Sequence, residues 1–181
     1  MFGLGKKYNY ESLADAIKIV VPHDDEKEFC VKTIKDSISD GGSAFESSKY
    51  RFGYMDSERK NLNPSHKQLP FFVFYDLITE SYLQLTRKIN SQDDLWSRIS
   101  ILLINHNLNQ FKSQLDSEIY YNHEIEYHVD NSNMIFNSTE FVIYKMSIEN
   151  DSAIGLLPVN SYNQLIKLLD KTPIELKIMN G

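Results

Sequence analysis

Residues 118–148 read EIYYNHEIEYHVDNSNMIFNSTEFVIYKMSI. Over the first twelve of these the side chains sort with a period of two. Ile119, Tyr121, His123, Ile125, Tyr127 and Val129 fall on one side, and Glu118, Tyr120, Asn122, Glu124, Glu126 and His128 on the other, because successive side chains of a strand point to opposite faces. One apolar row backed by one acidic row reads as a half-buried antiparallel strand whose outer face meets water. Asp130-Asn131-Ser132-Asn133 supplies turn chemistry, and Phe141–Ile148 is a largely apolar strand expected to pair with the acidic one.

Helices surround this hairpin. Upstream, Tyr10, Leu13, Ala14, Ile17, Val20 and Val21 recur at helical spacing behind Asn9, the expected N-cap, and Pro22 stops the run. A second helix is expected to be capped by Asp24, with Asp25, Glu26 and Glu28 at the positive end of its dipole. Val31, Ile34 and Ile38 form its stripe before Gly41-Gly42. Tyr50, Phe52 and Tyr54 alternate as a strand, Phe71–Leu77 reads as a central apolar strand, and Tyr82, Leu83 and Leu85 continue it as a hairpin. The strongest helical pattern opens with Ser91-Gln92-Asp93-Asp94, a variant capping box. It places Leu95, Ile99, Leu102, Leu103 and His106 on one face, with an extension through Leu108, Phe111 and Leu115. Downstream, Asn160 or Ser161 caps a helix with Tyr162, Leu165, Ile166 and Leu169 inward, and Ile174, Leu176 and Ile178 alternate in a closing strand. Hairpins mixed with helices, without a steady strand–helix alternation, imply an α+β class: a single two-layer domain over residues 1–181, with a mostly antiparallel mixed sheet packed with four or five helices.

The chain has 181 residues, 41% apolar and 24% charged, with a net charge of −6. That size buries enough surface for a core without staples. One cysteine, Cys30, excludes an internal disulfide framework and a multi-cysteine metal site, and fits a reducing compartment. The opening residues lack the pattern of a secretory signal, Phe2 excludes myristoylation, and the apolar run Leu69–Tyr75 is too short to span a bilayer. A cytoplasmic protein without a membrane partner is expected, and Asn137-Ser138-Thr139, although it fits the glycosylation pattern, is read as a polar turn.

The charge is unevenly spread. Residues 1–90 hold 13 basic and 13 acidic side chains, and residues 91–181 hold 6 and 12. Between Lys112 and Lys145 there is no Lys or Arg, whereas Asp116, Glu118, Glu124, Glu126, Asp130 and Glu140 all lie there. That window alone carries −6. Lys49, Arg51, Arg59, Lys60 and Lys67 outnumber Asp56 and Glu58 in a mildly basic stretch. Such asymmetry bears on partners and association rates rather than on fold.

Several motifs invite catalytic readings. His123 and His128 are five apart on a strand and point to opposite faces, which excludes the paired geometry of a zinc-protease helix. Glu124, Glu126 and His128 share a face and have the chemistry for a divalent ion or acid–base work. Glu175-Leu176-Lys177 matches the short Glu-x-Lys element of many metal-dependent nucleases. His23-Asp24-Asp25 has a His-Asp pair, but Asp24 is explained as a cap. Lys49-Tyr50-Arg51-Phe52-Gly53-Tyr54 interleaves cations with aromatics, as single-stranded nucleic-acid surfaces do, against which stands a sequence pI near 5.4. Gly3-Leu4-Gly5-Lys6 is an incomplete phosphate loop, Cys30 beside acidic residues reads as an inert thiol, and His106 reads as a core histidine.

The resulting expectation is a non-catalytic acidic binding protein of inhibitor or immunity type, without cofactor or metal. It would present Glu118, Tyr120, Glu124, Glu126, His128, Asp130 and Glu140 to a basic protein such as a toxin, a nuclease or another nucleic-acid-binding protein, and nucleic acid itself is not expected as a ligand. Tyr121 and Tyr127, where exposed, would add anchor area. The alternatives are a divalent-metal-dependent hydrolase or nuclease using Glu124, Glu126 and His128 or Glu175 and Lys177, and a single-stranded nucleic-acid-binding domain using Lys49–Tyr54.

Overall fold

The computed structural model describes residues 9–39, 68–79, 81–86, 89, 92–109, 140–149 and 151–179, the side chains of Gln92 and Asp93 excepted. Among these residues the elements are helices α1 (Glu11–Val20), α2 (Asp24–Ser39) and α3 (Leu69–Ile78), strand β1 (Leu83–Leu85), helix α4 (Gln92–Asn105), strands β2 (Phe141–Ile148) and β3 (Asp151–Pro158), helix α5 (Val159–Leu169) and strand β4 (Ile174–Ile178). The strands form an antiparallel sheet in the order β1-β3-β2-β4. The fold is α+β, as expected.

β2 and β3 form a hairpin in which Ile148 faces Asp151. Glu149 has φ 50°, the left-handed conformation that primed hairpin turns need at their first central position. The other edge of β2 pairs with β4, Tyr144 facing Ile178 and Ile148 facing Ile174. Glu118–Val129, the segment expected to pair with β2, lies outside the described residues. The hairpin partner of β2, β3, carries Ala153, Gly155 and Pro158 and is buried on both faces through its middle, so it lacks the alternation by which a strand is recognised.

Helices cover both faces. On one, Leu83, Leu85, Val142, Tyr144, Met146, Ile148, Ala153, Leu157 and Ile174 join the core of α1, α2, α3 and α5. On the other, Phe141, Ile143, Ile154, Leu156 and Met179 meet Leu95, Ile99, Leu102 and Leu103 of α4.

The region expected as a central strand, Phe71–Leu77, is the helix α3. Pro70 occupies its first turn, where a missing N–H costs nothing, and the Gln68 carbonyl accepts the N–H groups of Phe71 and Phe72. Leu69 through Tyr75 are all buried. A helix buried all round shows neither period, so its aromatic and β-branched composition misleads.

α1 follows expectation at its end: Val21 is extended (φ −97°, ψ 110°), as the residue before a proline must be. Asn9 does not cap it with its side chain; its carbonyl accepts the Ser12 hydroxyl at 2.8 Å instead. In α2, Asp24 stands in the first turn and pairs with Lys27 at 2.8 Å, while the Lys27 N–H bonds the His23 carbonyl. Its buried side is Cys30, Thr33, Ile34 and Ser37 rather than the Val31, Ile34, Ile38 stripe, a turn of roughly one residue about the axis. α5 begins at Val159 behind Pro158, so Asn160 and Ser161 lie inside it, and Ile166 is exposed.

α4 stops cleanly. Asn107 adopts φ 57°, its N–H bonds the Ile104 carbonyl at 3.0 Å, and the Leu108 N–H bonds the Leu103 carbonyl at 2.7 Å. This pair of bonds is the Schellman arrangement, and asparagine tolerates the left-handed position better than most side chains. The expected helical extension through Leu108 is thereby cut at Asn107; Phe111 and Leu115 lie outside the described residues. So do Ser91, the strand at Tyr50–Tyr54 and the Gly41-Gly42 terminator.

Candidate functional site

Of the expected partner-binding residues, Glu118, Tyr120, Glu124, Glu126, His128 and Asp130 lie outside the described residues, as do Tyr121, Tyr127, Lys49–Tyr54 and Gly3–Lys6. Glu140 is described. It is exposed at the head of β2, and its carbonyl accepts the Val159 N–H at 2.9 Å, which ties the start of β2 to the start of α5.

Glu175 and Lys177 are exposed on one face of β4, opposite Ser147 and Lys145 of β2. Asp151 faces Ile148, which in turn faces Ile174. The register therefore places the Asp151 and Glu175 carboxylates on opposite faces of the sheet, since directly paired residues share a face. No group of three or more His, Cys, Asp or Glu residues able to hold a metal occurs among the described residues.

A polar cluster that sequence reasoning missed lies where α2, the α3–β1 turn and α4 converge. Tyr82, buried just before β1, donates its hydroxyl to Glu26 Oε2 of α2 at 2.5 Å. Its ring meets that of His106 edge-on, with centroids 5.4 Å apart. Asn105 Nδ2 donates to the Ser81 carbonyl at 2.5 Å. Cys30, one turn along α2 from Glu26, is 2% exposed. No local pattern announces a contact between residues 26 and 82; the only prior signal was that Tyr82 and His106 each sat on an apolar pattern.

Cys30, Tyr82 and His106 are each held in the neutral form by their surroundings. Burial, followed by the Glu26 carboxylate, pushes the Cys30 thiol up to about 11. Burial and the bond to Glu26 raise the Tyr82 phenol well above its ordinary value. Burial pushes the His106 imidazole down to about 4, against the raising effect of its bond to the Tyr82 backbone. Effective acid–base groups titrate near the working pH, and these have been moved away from neutrality. The cluster ties three elements together. Cys30 is a buried thiol.

A shallow cavity of about 340 Å³ between α5 and β4 has Ile166, Leu169, Ile174 and Leu176 in its wall and Asp170 and Glu175 as its charged lining residues. No helix among the described residues is long and apolar enough to cross a membrane. The chain matches no protein-family model, no curated protein and no solved structure.

Proposed function

We propose that the chain is a non-catalytic acidic binding protein of the inhibitor or immunity type, which neutralises a basic protein partner in the cytoplasm. The observation that carries the reading is the window 113–144, which holds six carboxylates and no Lys or Arg. Glu118, Tyr120, Glu124, Glu126, His128, Asp130 and Glu140 would form the contact, with tyrosine supplying area and carboxylates supplying charge.

Support comes from how charge is disposed elsewhere. On α1 and α2 the acids Asp15, Asp24 and Asp36 bond Lys18, Lys27 and Lys32 of the same helix at 2.7, 2.8 and 2.5 Å. Charge in the first half is thus partly balanced over a single helical turn. The window 113–144 has no cation of its own with which to do the same. An unbalanced acidic segment steers basic partners and accelerates their association. The buried Cys30, the only cysteine, suits a reducing compartment.

The test is affinity capture from the native host with the full chain and with a Glu124→Lys/Glu126→Lys variant as control, each shown by circular dichroism to be folded. The expected result is retention of a basic protein by the wild type, weakened by salt and lost in the variant. Equal retention by both proteins, or retention of nothing basic, would contradict the reading.

A further inference from the structure

Tyr82 is the point at which the two helical layers meet beside β1: its hydroxyl reaches α2 through Glu26, and its ring holds His106 at the end of α4. The His106 N–H bonds the Leu102 carbonyl at 2.9 Å, and the turn then closes through Asn107 and Leu108. His106 Nε2 is fully enclosed and has no hydrogen-bond partner. We infer that His106 is an acid-sensitive latch: its neutral ring, seated against Tyr82, holds the C-terminal turn of α4 to the α2 side of the molecule, and protonation releases that turn.

The geometry supplies the asymmetry. In the neutral ring the enclosed Nε2 is a lone pair without a donor, a modest cost. Protonation would place an N–H and a positive charge in the same enclosure with no acceptor, which is far costlier. The Tyr82 backbone, bonded to the ring, favours the charged form but does not offset burial, and no other group around the ring relieves it. From α2, Glu26 already accepts the Tyr82 hydroxyl, Cys30 is held as a thiol, and His23, when charged, repels. From the α3–β1 turn come Tyr82 and the Ser81 carbonyl, the latter accepting from Asn105. From α4, Ile101 to Asn105 bring no charge, and Arg98 donates to Gln84.

Release is confined to the turn, because the rest of α4 is held by Leu95, Ile99, Leu102 and Leu103 against Ile143, Ile154 and Leu156, none of them titratable. The sign follows from the depressed folded-state pKa. The latch is whole above the ordinary value of 6.5 and weakens as pH falls from there toward about 4. Between pH 7 and pH 5 the opening equilibrium should rise roughly 20-fold, from the linkage of one proton.

The test uses the full chain in two nuclear magnetic resonance measurements. A titration of the His106 ring resonance is expected to have its midpoint near 4. Amide protection factors at His106, Asn107 and Leu108 are expected to fall roughly 20-fold from pH 7 to pH 5, while those of β2 and β3 hold. In a His106→Gln variant the pH-dependent fall should vanish; should that variant not fold, the wild-type titration and exchange data decide alone. A midpoint near 6.5, a parallel loss of protection in β2 and β3, or the same fall in His106→Gln would overturn the latch.

Discussion

Gly155 is where two neighbouring strands lean on a third. A Cβ there would stand 2.6 Å from the Tyr144 hydroxyl oxygen and 2.7 Å from Leu83 Cδ2, with Tyr144 Cζ closer still. The rings of Tyr144 and Tyr162, 5.4 Å apart, pack that tyrosine from the α5 side, so it has little room to yield. Gly155→Ala is expected to destabilise the fold by about 2–3 kcal/mol in denaturant unfolding, the range of core overpacking. Tyr144 itself carries a buried hydroxyl without a hydrogen-bond partner. Tyr144→Phe removes an unsatisfied group while keeping the ring, and should be neutral or stabilise by up to about 1 kcal/mol. Cys30, buried with its thiol pushed up to about 11, should resist alkylation at pH 8 in the native state and react once the chain is unfolded; fast native labelling would contradict its placement.

Two elements hang on single residues. The end of α4 depends on Asn107 in the left-handed region, so Asn107→Val should cost about 1–2 kcal/mol whereas Asn107→Gly should be close to neutral. Thermal melts of the two variants check this contrast. The tie between α2 and the sheet edge runs through the Tyr82–Glu26 bond; Tyr82→Phe keeps the ring and should cost about 1–2 kcal/mol, less than the full value of a charged hydrogen bond because Glu26 regains water. Legibility varied with burial. Phe141–Ile148 and Ile174–Ile178 were readable as strands, and α1, α2 and α4 as helices, because each shows a composition or period its environment preserves. Leu69–Ile78 and Asp151–Pro158 were not: the first is enclosed on all sides and the second through most of its length, and such burial erases the period that identifies an element. Pairing was harder again. β2 could have taken either neighbour on pattern alone, and its register was decided by the turn at Glu149 and by the ring of Tyr144 lying over Gly155. Of the candidate site, only Glu140 falls among the described residues. The Tyr82–Glu26–His106 cluster was invisible because its members lie 56 and 24 residues apart along the chain.

Across the whole molecule, charge is unevenly disposed. The sheet and its helices form a frame in which several acids on α1 and α2 meet a lysine of their own helix, and such exposed pairs contribute little to stability. The surplus of −6 falls in the window 113–144. On the proposed reading, reversing charges there should leave the melting temperature nearly unchanged, as substitutions on a solvated face do, within about 0.5 kcal/mol. It should instead slow association, because steering by exposed charge acts over about a Debye length, roughly 8 Å in physiological salt. The most direct measurement is the salt dependence of binding to the captured basic partner, by calorimetry between low and physiological ionic strength, for the wild type and for Glu124→Lys/Glu126→Lys. A steep weakening with salt in the wild type, and a weak, nearly salt-independent interaction in the variant, is the predicted result. Equal affinity and equal salt dependence in the two proteins would contradict the acidic-interface account.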